Sequence, residues 1–167
     1  MCWAASAATE GMRLVLLRHA QAEAKDVRDD FHRRLTEKGR EEAVRIGQAL
    51  GGQGIRAQSV VSSPATRAME TAVLAAPGLG FDIHHIAAEP LAYEGGSSVL
   101  LDIARRRAVD LECLVMVGHN PGLRELGEEL AGLEEWSLPK GSAAIFESDG
   151  AKLEAGGFRH VRDVAPD

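Results

Sequence analysis

Aromatic side chains are scarce in this chain of 167 residues, at 4%, and lysine is scarcer still, with four residues against fifteen arginines. Two cysteines, Cys2 and Cys113, cannot build a disulfide framework. Cys113 opens an apolar run, where a buried reduced thiol is the simplest expectation, and a reducing compartment suits it. No apolar stretch approaches the ~18 residues that a membrane span needs. Residues 1–11 lack the basic start and apolar centre of a signal peptide. Met12 stands directly before the first strand-like run, so residues 1–11 read as a disordered extension ahead of one domain spanning 12–167. Positive charge is not in excess either. The net charge of −6 recommends neither nucleic acid nor an anionic membrane as a partner, and a cytoplasmic location is expected. The arginine excess fits either a compositional background or a need for guanidinium forks that grip oxyanions.

What is present is the balance of an ordinary globule, with strands alternating with amphipathic helices. Arg13-Leu14-Val15-Leu16-Leu17 is a continuous apolar run, as expected of a strand covered on both faces. Thr36 caps a helix whose inner face is Ala43, Ile46, Gly47 and Leu50, and which Gly51 and Gly52 stop. Ser59 to Ser62 is a second strand. Ser63 and Pro64 read as N-cap and first residue of a helix burying Ala65, Ala68, Met69, Ala72 and Val73. Phe81 to Ala87 reads as an edge strand, which would point His84 and His85 to opposite faces. Ser97 or Ser98 caps a third helix carrying Leu100, Leu101, Ile103 and Ala104. Leu114 to Val117 is a further strand, and Asn120-Pro121 repeats the capping arrangement before Leu123, Leu126, Gly127 and Leu130. Late strands are expected around Ala143–Phe146 and Leu153–Phe158. The pattern predicts an α/β fold with a largely parallel sheet.

In such sheets ligands bind beyond the carboxyl ends of the strands. Three strands deliver polar residues there: Arg18-His19 after the first, Ser63 and Arg67 after the second, and His119-Asn120 after the last of the parallel set. Each has a bland explanation taken alone. A histidine after a strand is commonly structural, Arg67 could be a solvated cation paired with Glu70, and capping explains Asn120. Together they form an oxyanion site beside two helix N-termini, and phosphate is the guest it suits.

Four segments also resemble one family in order and in context. Leu16-Leu17-Arg18-His19-Ala20 is similar to the Arg-His-Gly signature of the histidine phosphatase (phosphoglycerate mutase-like) superfamily. Ser62-Ser63-Pro64-Ala65-Thr66-Arg67-Ala68-Met69-Glu70-Thr71 resembles its Ser-Pro-x-x-Arg-Ala-x-x-Thr motif. Val117-Gly118-His119-Asn120 resembles its late-histidine motif, and Leu35-Thr36-Glu37-Lys38-Gly39 its Leu-Thr-x-x-Gly helix start. Only 51 residues separate Arg67 from His119, which leaves little room for a lid. That shortness, Asp30-Phe31-His32-Arg33-Arg34-Leu35 and His119-Asn120-Pro121-Gly122 look most like the SixA-type phosphohistidine phosphatases. Ala20 replaces the signature glycine, Arg34 stands where the branch often has proline, and Lys140-Gly141-Ser142 replaces a segment that commonly contains threonine.

The resemblance implies a three-layer α/β/α sandwich and a phosphatase acting on a histidine-phosphorylated protein. His19 would be the nucleophile and form a phosphohistidine intermediate. Arg18, Arg67 and His119 would hold the phosphoryl group, with Ser63 and Asn120 on the substrate side and Arg33 in the groove. Nearby guanidinium groups would keep His19 unprotonated. Glu94, with Glu89 behind it, is the candidate general acid, although an imidazole leaving group needs one less than an alkoxide does. No metal or cofactor is required on this reading. His84-His85, His32 and His160 lack ligand-like spacing, the Arg105-Arg106-Arg107 cluster suits a helix end, and Trp3 and Trp136 read as isolated surface or packing residues. The alternatives are a small-molecule phosphomonoesterase of the same superfamily, a non-catalytic phosphoprotein-binding module, and a histidine-ligated metallohydrolase.

Overall fold

The computed structural model describes residues 11–148, 150 and 153–167; the expectations for residues 1–10, Trp3 included, lie outside them. Strands β1 (Arg13–Arg18), β2 (Ser59–Ser62), β3 (Ala87–Ala88), β4 (Cys113–Gly118), β5 (Ala143–Glu147) and β6 (Arg159–Val164) form one sheet in the order β3-β2-β4-β1-β5-β6. The first four run parallel, and β5 is antiparallel to β1 and β6. Helices α1 (Glu37–Gly52) and α2 (Thr66–Ala75) cover one face, while α3 (Ser97–Arg107) and α4 (Gly122–Ala131) cover the other. The expected three-layer α/β/α arrangement is therefore present.

Alternation along the central strands divides the core in two. Leu14 and Leu16 of β1 meet Leu114, Met116 and Phe146 beneath α3 and α4. Val15 and Leu17 face Ile46, Leu50, Ala68 and Ala72 beneath α1 and α2. This is why β1 and β4 read as unbroken apolar runs: both faces of each strand are buried. Thr36 caps α1 as expected, its Oγ1 accepting the Gly39 N–H at 3.0 Å, and Ala43, Ile46, Gly47 and Leu50 are buried. Leu123, Leu126, Gly127 and Leu130 are buried under α4.

Several local expectations are corrected. α1 continues through Gly51 and Gly52 to a cap at Gln53. α2 starts at Thr66, not Pro64, because the Ser63 hydroxyl closes a tight turn by accepting the Ala65 N–H at 3.2 Å. Its buried face is Arg67, Ala68, Thr71, Ala72 and Ala75, leaving Val73 36% exposed and Met69 partly so. Small residues on that face let α2 approach α1 closely: a Cβ at Gly47 would lie 2.3 Å from the Ala75 carbonyl oxygen. The expected edge strand over Phe81 to Ala87 shrinks to Ala87–Ala88 of β3, since the Asp82 carboxylate accepts the His84 N–H and folds Ile83–His85 into a 3-10 turn. Both histidines are exposed there. Gly96, and neither serine, caps α3. Asn120 does not cap α4, which begins at Gly122 after Pro121. The last strand lies at Arg159–Val164, beyond the expected Leu153–Phe158. Of the two readings of Trp136, the packing one holds: it lies edge-on against Phe146 and over Gly127, and its indole N–H donates to Asp163. Among the described residues, no helix is long and apolar enough to cross a membrane.

The Gly47 contact can be tested directly. Gly47→Ala forces a methyl against backbone and is expected to lower unfolding stability by about 1–3 kcal/mol. Gly52→Ala, which meets open space at the helix end, should leave stability unchanged or raise it by up to about 1 kcal/mol. Urea unfolding of both variants checks the contrast.

Candidate active site

The β1–β4 ladder sets the geometry. Its last pair is Arg18 opposite Gly118, and the His19 N–H then donates to the Gly118 carbonyl at 3.0 Å. His19 and His119 therefore leave adjacent strands at the same level, with ring centroids 5.2 Å apart. β2 ends beside them, and the Ser63 N–H donates to Val117 O at 3.0 Å. One turn later α2 presents Arg67 inward, with its Nε 3.4 Å from His19 Nε2. Four residues far apart in sequence thus meet where parallel strands end, as their positions in the sequence predict.

Hydrogen-bond chemistry fixes the state of His19. Its Nδ1 lies 2.8 Å from the Ala20 carbonyl oxygen, which only accepts, so Nδ1 carries the proton and Nε2 keeps its lone pair. Burial pushes the His19 pKa down to about 3, and the charges of His119, Arg67 and Arg18 push the same way, against the Ala20 carbonyl. The expected direction holds, but desolvation is the larger cause and the guanidinium groups the smaller. Burial also brings His119 down to about 4, with Arg67 lowering it further and Asp30 opposing. Both imidazoles are neutral at neutral pH.

Arg18 donates through Nη1 to the Leu138 carbonyl at 3.1 Å, and burial lowers its pKa from the usual guanidinium value. Asn120 Nδ2 donates to the same carbonyl at 3.0 Å. His119 Nε2 lies 2.7 Å from Ser63 Oγ. Three buried polar atoms in this cluster have no partner among the described residues: Arg18 Nε, His119 Nδ1 and Asn120 Oδ1. Orphaned buried polar atoms are costly and rare, and finding three together is the mark of a binding site.

The sequence reading missed Asp30 and Tyr93. The Asp30 carboxylate accepts from Arg33 Nε and Nη2 on one oxygen and from Tyr93 and Arg67 on the other, the phenol at 2.6 Å. Its backbone oxygen also accepts from Arg67 Nη1 at 2.7 Å. The Tyr93 hydroxyl, followed by Arg33 and Arg67, holds the Asp30 carboxyl well below the usual carboxylate range. Tyr93 in turn meets Phe31 and His119 edge-on, at 5.1 and 5.7 Å. The available signals were the three-residue spacing of Asp30 and Arg33 and the fact that Tyr93 is the only tyrosine in the chain.

The remaining candidates fall elsewhere. Arg33 is not open to a groove: it is buried, and it donates to Asp30 and to the Glu23 carbonyl. Arg67 pairs with Asp30 and not with Glu70, which binds Arg40. Glu89 is buried in an ion pair with Arg107 at 2.7 Å, which also accounts for part of the Arg105–Arg107 cluster. Glu94 is exposed on the turn after Tyr93, and among the described residues no hydrogen bond joins it to the cluster. Ser63 is fully buried, so its hydroxyl serves His119 and does not line an open surface. Among the described residues, no group of three His, Cys, Asp or Glu side chains is disposed to hold a metal ion.

Comparison with known proteins points to one family. Residues 14–89 match the family model described as histidine phosphatase superfamily, branch 1. An uncharacterized chloroplastic protein of Arabidopsis thaliana is 31% identical, the match covering 99% of this chain and 83% of that protein. An uncharacterized protein of Picosynechococcus sp. is 35% identical over 86% of this chain and 90% of its own. A solved structure from Nakamurella multipartitia, carrying the name phosphohistidine phosphatase SixA, superposes with a TM-score of 0.78 at 26% identity, covering 93% of this chain and 96% of that one.

The lowered histidine pKa values carry a pH signature. Between their folded values of about 3 and 4 and the unfolded value of about 6.5, the unfolded chain binds more protons than the folded one. Stability therefore falls as pH drops through that window. Thermal melts between pH 7 and 4.5 should show the loss, and a His19→Gln, His119→Gln double variant should flatten the slope.

Proposed function

The chain belongs to the histidine phosphatase superfamily and is a phosphatase with a histidine nucleophile, and we propose that it removes phosphate from phosphohistidine on a protein substrate. In this reading the lone pair of His19 Nε2 attacks phosphorus in line. A new N–P bond forms as the bond to the substrate imidazole breaks, and the leaving ring departs neutral when its other nitrogen carries a proton. The Ala20 carbonyl holds the Nδ1 proton of His19 and stabilises the positive charge that phosphorylation brings to the ring. Arg18, Arg67 and His119 donate to the phosphoryl oxygens as charge builds on them. Water then attacks phosphorus, releasing inorganic phosphate and neutral His19.

The choice of phosphohistidine over a phosphate ester rests on one observation, the state of the nearby carboxylates. An alkoxide leaving group needs a proton, and a general acid must hold one at working pH. Asp30 accepts four side-chain hydrogen bonds and stays ionised. Glu89 is buried in its ion pair with Arg107. Glu94 is exposed to water. An imidazole leaving group tolerates that set, and the likeness to the SixA structure supports the same choice. A small-molecule phosphomonoesterase would have to recruit Glu94, whereas a binding module without catalysis gives no reason to bury a neutral nucleophile beside two guanidinium groups. The protein partner and the cytoplasmic location belong to this proposal. Cys113 is a buried free thiol, which suits a reducing compartment.

Trapping decides the matter. After incubation with a phosphodonor and an alkaline quench, mass spectrometry should find an acid-labile phosphate on His19, absent in His19→Ala. Arg67→Ala should lose about 100-fold or more in kcat. Glu94→Gln should change turnover of a phosphohistidine protein by less than about threefold, because a general acid would be worth about 100-fold. A strong preference for sugar phosphates, with a large Glu94→Gln effect, would favour the phosphomonoesterase instead.

A further inference from the structure

We propose that Ser63 is a positioning residue that fixes the tautomer of His119, donating its hydroxyl proton to Nε2 so that Nδ1–H is the donor His119 offers to the phosphoryl group; this rests on the phosphatase reading of the site. The argument starts from satisfying one hydroxyl. Ser63 is fully buried, so water does not complete its bonding. One lone pair of Oγ takes the Ala65 N–H at 3.2 Å. The hydroxyl hydrogen needs an acceptor, and among the described residues the one in reach is His119 Nε2 at 2.7 Å. If Nε2 carried the proton instead, two donors would face each other unless the hydroxyl hydrogen turned away to no acceptor at all, which is the costly arrangement for a buried group.

The other end of the ring agrees. His119 Nδ1 is buried and lacks a partner. As N–H, it is a buried donor on a ring whose centroid lies 5.2 Å from that of His19, unsatisfied until an oxyanion arrives and paid for in the folding of the free enzyme. As a bare lone pair, it would repel the same oxyanion. Ser63 takes up this role because α2 begins late: the turn closed on the Ala65 N–H, which displaces the helix start to Thr66, aims the hydroxyl at the His119 ring. His19 carries its proton on Nδ1 as well, but it is fixed there by the Ala20 carbonyl and presents the opposite nitrogen. The same tautomer thus yields an acceptor from one histidine and a donor from the other.

Long-range 15N NMR of the free enzyme reads the tautomer without any substrate, so its outcome is separate from the identity of the substrate. With His119 assigned by comparison with His119→Gln, wild type should carry the proton on Nδ1; a proton on Nε2 would overturn the proposal. In Ser63→Ala the ring should shift toward Nε2–H or a mixture, with kcat on a phosphohistidine protein down about tenfold and KM within about twofold, the pattern of an interaction made in the transition state. Ser63→Thr, which keeps the hydroxyl, should restore the Nδ1–H signal. An unchanged spectrum in a folded Ser63→Ala protein, or a rise in KM with kcat intact, would show that Ser63 has no such role.

Discussion

The hydrogen bond from the His19 N–H to the Gly118 carbonyl is the contact on which the site depends. It extends the β1–β4 ladder one residue beyond the strands, so the register of the buried core dictates the spacing of two imidazoles. A slip of one residue in that register would turn every side chain of β1 to the other face, exchanging Leu14 and Leu16 for Val15 and Leu17 between two separate cores. The packing of roughly forty buried apolar side chains therefore guards the position of His19 against slippage. Precision at the site is inherited from the core, and the helices above it need only present Arg67 and cover the rest.

Burial then sets the chemistry. Two imidazoles among three guanidinium groups are neutral because a buried imidazolium would lose its hydration and meet repulsion that the Ala20 carbonyl and Asp30 do not offset. Asp30 prevents the arginines from becoming an uncompensated block. Its carboxylate ties Arg33 and Arg67 together, and through Tyr93 it links the loop before α1 to the turn before α3. The cost is that Asp30 is fully engaged as an acceptor and lost as a proton donor. On the proposed function, the feature that steadies Arg67 is also the one that narrows the leaving groups the site can expel.

What could be read from the sequence follows from range. β1 and β4 were legible because strands buried on both faces give unbroken apolar runs, and α1 because Thr36 and the Ala43-to-Leu50 face act locally. His19, Arg18, Arg67 and His119 were legible because strand ends are places the topology must bring together. The start of α2 was misread because the Ser63 hydroxyl is bound to the turn at Ala65 and to His119, a contact across 56 residues that leaves no trace in local pattern. Val73 was misplaced for a related reason: close approach of α1 to α2 at Gly47 selects the small residues Ala68, Ala72 and Ala75 for burial, and hydrophobicity alone ranks valine above them. Asp30 and Tyr93 act through each other over 63 residues, and neither signals without its partner.

Arginine is where composition and structure meet. The excess over lysine spans two unlike populations, and number alone cannot separate them. Arg40, Arg124 and Arg159 make exposed or half-exposed ion pairs, which are worth little in stability and which lysine would serve nearly as well. Arg33 and Arg67 are different: each directs several N–H groups to separate acceptors in the interior or at its edge, and Arg18 holds one to the Leu138 carbonyl while its Nε is left without a partner among the described residues. A lysine ammonium is a point charge that shifts its pKa when buried, and it lacks the planar fork needed to reach His19, the Asp30 carboxylate and the Asp30 carbonyl at once. Arginine at position 67 is therefore a requirement of geometry more than of charge. It follows that a protein of net charge −6 can hold a dianion, because what binds is a few fixed N–H directions at the ends of parallel strands and not the sum of the surface.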